Sequence, residues 1–293
     1  MDVLIIGNPL AGRGSSEHII RKFACEAERR GHRVETFVSR LPQDMGMRAC
    51  QVGSRFDRIV VAGGDGSIHQ VLNALPDPSR TPILHLPTGT ANMLAQDLGL
   101  PRSVEELARL LDHGVVRRID MGLVGGHRFI LVAGAGVDAL VTKEIEETTG
   151  KAYGYGGYVR PFLRVLRRHR PVELTVRVDD GEPVTGTNVI VLNARHWGGC
   201  FVFAEEARLD SGRFEICVFH SYARFAPLKY CAAGFLGLAS NLRDVTRLSG
   251  RRIRIDGARP TAVELDGDYF GTTPVFIDLV PAAVPVIAPP NGP

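Results

Sequence analysis

Apolar and polar positions follow two different rhythms along this chain. Over residues 1–120, short apolar runs alternate with segments whose apolar positions recur every three to four residues. Residues 3–6, 33–37, 58–62 and 82–86 read as strands; 16–30, 68–75, 92–98 and 104–111 read as helices, with Ile19, Phe23 and Ala27 on one face of the first. Apolar strands separated by helices predict a mostly parallel sheet covered on both faces, a Rossmann-like α/β domain. Ligands of such sheets gather beyond the carboxyl ends of the strands. The glycine-rich segments at 7–14, 63–66 and 89 each follow a predicted strand, so all three can line one crevice.

After about residue 125 the rhythm shortens. Residues 128–133, 172–178, 187–193, 213–219, 251–256 and 275–280 are strand-like, with turns at Asp179-Asp180-Gly181 and Asp210-Ser211-Gly212. This predicts an antiparallel, sheet-on-sheet domain, a β-sandwich. The division expected is an α/β domain over 1–124 and a β-sandwich domain over 125–293. The last stretch, with Pro281, Pro285, Pro289, Pro290 and Pro293, reads as extended and returning to the first domain.

Composition narrows the function class. The chain has 293 residues, 44% of them hydrophobic, enough for one large core or two modest ones. With 35 basic and 32 acidic residues, the net charge of +3 gives no electrostatic footprint for nucleic acid. Five cysteines at irregular spacing signal neither a zinc knuckle nor a disulfide framework, and a reducing cytoplasm is the simpler expectation. The amino-terminal apolar residues read as a first strand rather than a signal peptide. The longest apolar run near the C-terminal third, residues 231–239, is too short to span a bilayer.

The chemistry concentrates in four places. Gly63-Gly64-Asp65-Gly66-Ser67 joins an apolar strand to a helical pattern. Glycines there allow close backbone approach, and free amides at a helix start face an anion. Ser67 can cap that helix or donate to phosphate. Asp65 beside a phosphate makes sense if it meets Mg2+, directly or through water, or a ribose hydroxyl; the plainer alternative is a loop brace. The loop from Gly7 through Asn8, Pro9 and Gly12 to Ser15 resembles a P-loop in spacing, but Arg13 and Gly14 stand where Lys and Ser/Thr are required. Pro87-Thr88-Gly89-Thr90-Ala91-Asn92 adds hydroxyls and an amide that can contact a nucleotide or hold a neighbouring loop. Late in the chain, Glu264-Leu265-Asp266-Gly267-Asp268 would place Asp266 and Asp268 on one side of an extended backbone, or else form a hairpin turn. Asp120 is a candidate for metal-linked or interdomain structure.

Taken together, these motifs resemble the diacylglycerol kinase catalytic family, which includes bacterial lipid kinases and the sphingosine and ceramide kinases. Gly63-Gly64-Asp65-Gly66-Ser67 resembles its glycine-glycine-aspartate-glycine-threonine signature. Asn8 to Gly12 resembles its first loop, 87–101 its third motif, and Leu265-Asp266-Gly267-Asp268 its late leucine-aspartate-glycine-glutamate. Asp120-Met121-Gly122 and Gly134 to Ala139 fit its domain junction. The resemblance implies an ATP- and Mg2+-dependent kinase acting on a lipid alcohol, with the α/β domain binding the nucleotide, the β-sandwich taking the lipid substrate, and the nucleotide cleft between them. On that basis Asn8, Pro9, Gly12, Gly63, Gly64, Asp65, Gly66, Ser67, Thr88, Gly89, Thr90 and Asn92 hold the nucleotide. Asp65, Asp120 and Asp268 meet the metal, and Asp266 acts as general base with Asp268 beside it. The chain departs from the family at Met93, where some members carry a metal-linked acid, and at His69 and Gln70.

Two rivals follow. An NAD kinase shares the Gly-Gly-Asp-Gly loop, and a nucleotide-binding regulator without transfer activity would suit Met93. The expected partners are a lipid alcohol, transient contact with the inner face of the membrane, and a second copy of the chain as a homodimer. Tyr158 to Arg170 can form a basic amphipathic helix for anionic headgroups, or a helix docked on its own domain. Residues 220–241 are a second candidate, as a lid, an acyl contact or core.

Overall fold

The fold was analysed in a computed structural model that describes residues 1–9, 16–41, 44–52, 55–148 and 156–292. Gly12 and the rest of its loop, residues 10–15, lie outside the described residues. The chain divides into two compact units, Met1–Ile119 with Ala282–Pro293, and Asp120–Pro281.

The first unit is α/β. Its elements are β1 (Asp2–Gly7), α1 (Ser16–Arg29), β2 (Arg33–Val38), α2 (Asp44–Val52), β3 (Arg58–Gly63), α3 (Asp65–Ala74), β4 (Ile83–Pro87), α4 (Met93–Asp97), α5 (Val104–His113) and the start of β5 (Val115–Val124). The strands pair in parallel in the order β2-β1-β3-β4. β1 and β3 are buried on both faces, which is why they read as continuous apolar runs rather than alternating ones. Val3, Ile5, Val60, Ala62, Leu84 and Leu86 pack against Ile20, Phe23 and Ala27 of α1 and Leu107, Leu110 and Leu111 of α5. Helix α5 starts at a serine cap: Ser103 Oγ accepts the Glu106 N–H at 3.1 Å and donates to the Glu106 carboxylate at 3.0 Å.

The second unit is an antiparallel β-sandwich. It contains β6 (His127–Phe129), β7 (Val132–Ala135), α6 (Val137–Thr148), α7 (Gly156–Arg168), β8 (Leu174–Val178), β9 (Val184–Gly186), β10 (Asn188–Leu192), β11 (His196–Trp197), β12 (Phe201–Val202), β13 (Phe214–Phe219) and α8 (Ala226–Phe235). There follow β14 (Val245–Gly250), β15 (Arg252–Gly257), β16 (Ala262–Leu265), β17 (Asp268–Thr272) and β18 (Val275–Ala288). One sheet runs β14-β13-β10-β7-β16-β17; the other runs β18-β15-β8-β9. Alternate residues of both sheets, among them Ala133, Val189, Val191, Phe214, Ile216, Val263 and Leu265 from one and Leu174, Val176, Ile253, Ile255 and Ile277 from the other, make a single core.

Several elements differ from the sequence reading for identifiable reasons. Residues 128–133 were expected as one strand but form β6 and β7, because the amides of Ile130 and Leu131 leave the ladder to bond a carboxylate described below. The helix expected from residue 68 begins at Asp65, directly on the glycine loop. The last strand continues through the prolines to Ala288, and Val286 pairs with Ile83 of the first unit's β4 in parallel. Helices α2 and α6 were not expected. Among the described residues, no helix is long and apolar enough to cross a membrane.

Candidate nucleotide and acid sites

In the first unit, the ends of β3 and β4 bring two glycine loops into backbone contact. A Cβ built on Gly89 would lie 2.4 Å from the Gly64 Cα, and one on Gly64 would lie 3.2 Å from the Gly89 Cα. Only glycine fits at position 89, and at position 64 a side chain would be tight. Gly63 is equally restricted, since its Cβ would fall 2.2 Å from Ser67 Oγ. The Gly63 carbonyl accepts two hydrogen bonds, from the Thr88 N–H at 3.0 Å and from His85 Nε2 at 3.0 Å. A ring nitrogen facing a carbonyl must carry the proton. Burial also lowers the His85 pKa, against the opposing pull of Asp65, so the imidazole is neutral. His85 is buried on β4 beneath the loop, and the sequence reading missed it; its position two residues before Pro87 in an apolar strand was the available signal.

The helix α3 starts on this platform. Gly64 is its N-cap and makes no side-chain cap. Ser67 is not the cap that the sequence allowed for; it lies within the first turn, buried, its own N–H on the Gly64 carbonyl at 2.9 Å. Helix geometry leaves the first amides, at Asp65 and Gly66, without intrahelical acceptors and puts positive potential there.

Asp65 is buried and accepts the Met93 N–H at 2.9 Å and the Leu94 N–H at 3.2 Å. It therefore caps α4 from 28 residues away in sequence. Met93, in place of an acid, turns its side chain into the interior. Asn92 has a left-handed backbone (φ 48°), and its amide staples the loop: Oδ1 accepts the Gly89 N–H at 3.0 Å and Nδ2 donates to the Gly89 carbonyl at 2.9 Å. Asn8 adjoins Gly63 and donates its N–H to the Ala62 carbonyl at 2.9 Å. Pro9 is half-buried, Thr88 is buried, and Gly66 and Thr90 are exposed.

In the second unit, Asp266-Gly267 is a two-residue hairpin turn between β16 and β17, with φ of 51° and 89°. Both residues are left-handed, as the turn type favoured by the strand twist requires. The extended placement of Asp266 and Asp268 on one side is thereby corrected: Asp266 is buried and Asp268 is exposed. The Asp266 carboxylate accepts the N–H groups of Ile130, Leu131 and Val132, each at 2.9 Å. Asn193, wholly buried, donates Nδ2 to the carbonyls of Ile130 at 2.8 Å and Asp120 at 3.0 Å, so Asp120 and Asp266 belong to one network. Asp120 also accepts the Gly212 N–H at 2.6 Å. Among the described residues, no three His, Cys, Asp or Glu side chains are grouped to hold a metal ion.

Beneath the turn sit two further acids that sequence reasoning did not single out. Asp138 and Glu264 converge on Gly134, whose Cβ would lie 1.9 Å from Asp138 Oδ2 and 2.8 Å from Glu264 Oε1. The Glu264 Oε2 accepts the Gly267 N–H at 2.7 Å. Burial pushes Asp138 up to about 7 and Glu264 well above its ordinary value, with Asp138 adding to the latter. Two carboxyls buried this way keep a proton near neutrality.

Comparison with known proteins agrees with both units. Residues 2–124 match the diacylglycerol kinase catalytic domain, and residues 131–288 match the YegS C-terminal NAD kinase beta sandwich-like domain. A diacylglycerol kinase of Bacillus subtilis (strain 168) is 28% identical over 94% of this chain and 92% of its own. The crystal structure of a diacylglycerol kinase from Bacillus anthracis str. Sterne has 22% identity and a TM-score of 0.75, covering 99% of this chain and 97% of that one. An NAD kinase from Archaeoglobus fulgidus, in complex with ATP, shares the fold at a TM-score of 0.51 and 14% identity, over 98% and 93% of the two chains.

Proposed function

From the premise that this chain belongs to the diacylglycerol kinase catalytic and YegS-like lipid kinase family, we propose that it transfers the γ-phosphate of ATP to the hydroxyl of a lipid alcohol such as a diacylglycerol. Family and fold support a phosphotransferase. The observation that carries the nucleotide half of the reading is the Gly64–Gly89 contact at the start of α3. A side chain at Gly89 would run into the Gly64 backbone and part the two loops proposed to carry the triphosphate, and the first amides of α3 are suited to an anion.

Asn8, Pro9, Gly63, Gly66, Ser67, Thr88, Thr90 and Asn92 complete the proposed nucleotide seat. Mg2+, when bound, would offset charge on the phosphoryl oxygens. Asp65 suits a supporting place more than a full metal ligand, because two amides already occupy its carboxylate.

The acceptor hydroxyl must lose a proton, and the late acids are the candidates. Asp266 is the base that the family resemblance suggests. Its three amide bonds fix its position and take up most of its acceptor capacity. Asp268, exposed on the outgoing strand, has the access that Asp266 lacks. In this reading Asp266 accepts the proton, or sets the turn from which Asp268 does.

Incubating the protein with γ-labelled ATP, Mg2+ and separate acceptors, a panel of lipid alcohols and NAD, tests the proposal. Label in a lipid supports it. Label in NAD alone would replace it with an NAD kinase, and ATP binding without any transfer would leave a regulator.

A further inference from the structure

His85 is the one ionisable residue of β4, whose sequence is Ile83-Leu84-His85-Leu86-Pro87. It is 1% exposed, and its two neighbours Leu84 and Leu86 belong to the core of the first unit. Among the described residues, nothing bonds its Nδ1, which is buried. A ring nitrogen taken out of water and left unpaired costs free energy. The bond on the other side of the ring does not rescue a stranded group. The Gly63 carbonyl that meets Nε2 at 3.0 Å already accepts the Thr88 N–H at 3.0 Å. Nor does the ring form a pair with Asp65. That carboxylate acts on His85 electrostatically but bonds the Met93 and Leu94 amides. Stability alone does not account for a histidine here.

The peptide that His85 holds joins two glycines. Both are short of room, since a Cβ on Gly63 would fall 2.2 Å from Ser67 Oγ and one on Gly64 would fall 3.2 Å from the Gly89 Cα. Glycine on either side leaves the intervening peptide free to rotate at little cost. The peptide is planar and trans, so turning the Gly63 carbonyl turns the Gly64 N–H with it, on the opposite side. Gly64 is the N-cap of α3, and its amide directly precedes those of Asp65 and Gly66. One donor on the carbonyl would let the peptide pivot about that bond. Two donors, the Thr88 amide and the His85 ring, set its plane.

We propose that His85 is a positioning residue for the nucleotide: its Nε2–H pins the Gly63–Gly64 peptide, so that the Gly64 amide stands with those of Asp65 and Gly66 to receive the phosphates of ATP. This role rests on the proposed ATP binding and adds the side chain that sets its geometry. It also explains why β4 carries a buried imidazole that an apolar residue could replace without stranding the carbonyl.

Three measurements on the full chain test it: titration with ATP and Mg2+, a thermal melt without nucleotide, and steady-state transfer to a short-chain diacylglycerol. His85→Leu is expected to melt at or above the wild-type temperature, because it removes the unpaired nitrogen and leaves Gly63 bonded to Thr88. It is nevertheless expected to bind ATP about 10-fold more weakly, the scale of one hydrogen bond to a charged group. Its KM for ATP should rise by the same factor with kcat within about 2-fold, the pattern of binding lost equally in ground and transition states. His85→Gln, whose amide nitrogen takes the place of Nε2, should restore ATP affinity. His85→Asn, whose amide corresponds to Nδ1 and falls short of the Gly63 carbonyl, should not. The Gln and Asn pair decides the matter if the Leu variant does not fold. Wild-type ATP affinity in His85→Leu, or equal affinities in the Gln and Asn variants, would overturn the role of His85 alone. A wild-type chain that binds no ATP would overturn the nucleotide reading itself.

Discussion

The α-carbons of Gly64 and Gly89 meet across the ends of β3 and β4, so close that a methyl group on Gly89 would lie 2.4 Å from its neighbour. Two loops separated by more than twenty residues thus form a single backbone surface at the start of α3. Gly89→Ala is expected to destabilise the protein by about 1–3 kcal/mol, the usual cost of overpacking. It should also weaken ATP binding. Gly64→Ala, with a 3.2 Å approach, should cost less. Gly66→Ala is the control, since nothing lies within 4 Å of its Cβ. Denaturant unfolding gives the order, and ATP titration gives the binding effect.

Asp65 supplies a second prediction. Its carboxylate holds the Met93 and Leu94 amides at the start of α4. Asp65→Ala should lose about 1–2 kcal/mol, as removal of a helix cap does. Asp65→Asn keeps one acceptor oxygen and should lose less. Urea midpoints ranked wild type, Asn, Ala would agree with this; an Ala variant as stable as wild type would not.

Much of this arrangement could be read from the sequence, and the part that could not has a common cause. The parallel strands were legible because burial on both faces makes β1 and β3 continuous apolar runs. The glycine loops were legible because they end such runs. Partners distant in the chain were not: Asp65 with Met93, Asn193 with Asp120 and Ile130, and Asp138 with Glu264 meet only through the fold. Helix α6 was missed because Gly134-Ala135-Gly136 reads as a turn, although Val137, Leu140, Val141 and Ile145 recur at helical spacing after it. Asp266-Gly267 allowed two geometries locally, and the amides of residues 130–132 select the turn.

The buried acids predict a pH dependence. Asp138 is raised to about 7 by burial, and Glu264 is raised well above its ordinary value by burial and by the neighbouring Asp138. The folded state therefore holds protons that the unfolded chain releases near pH 4. Stability should fall as pH rises from about 4 through about 7, because the native state binds more protons across that interval. Asp138→Asn, which cannot ionise, should flatten the slope. Chemical unfolding at several pH values checks both statements; a wild-type stability that rises over this interval would contradict them.

Asp266 gives a prediction about structure separable from chemistry. Asp266→Ala leaves three buried amides at residues 130–132 without their acceptor. Each such loss costs about 1–3 kcal/mol, so the variant should unfold at markedly lower denaturant, whereas Asp268→Ala, at an exposed position, should change stability by under about 0.5 kcal/mol. A selective loss of phosphate transfer in Asp268→Ala, with stability and ATP binding retained, would assign the proton to Asp268.

The central claim is phosphate transfer to a lipid hydroxyl, and the most direct measurement is a single-turnover experiment with γ-labelled ATP, Mg2+ and a short-chain diacylglycerol. Label should move from ATP into the lipid with the wild-type protein, and transfer should collapse in Asp266→Asn or Asp268→Asn while ATP still binds. Label that stays in ATP, or passes only to water or NAD, would contradict it.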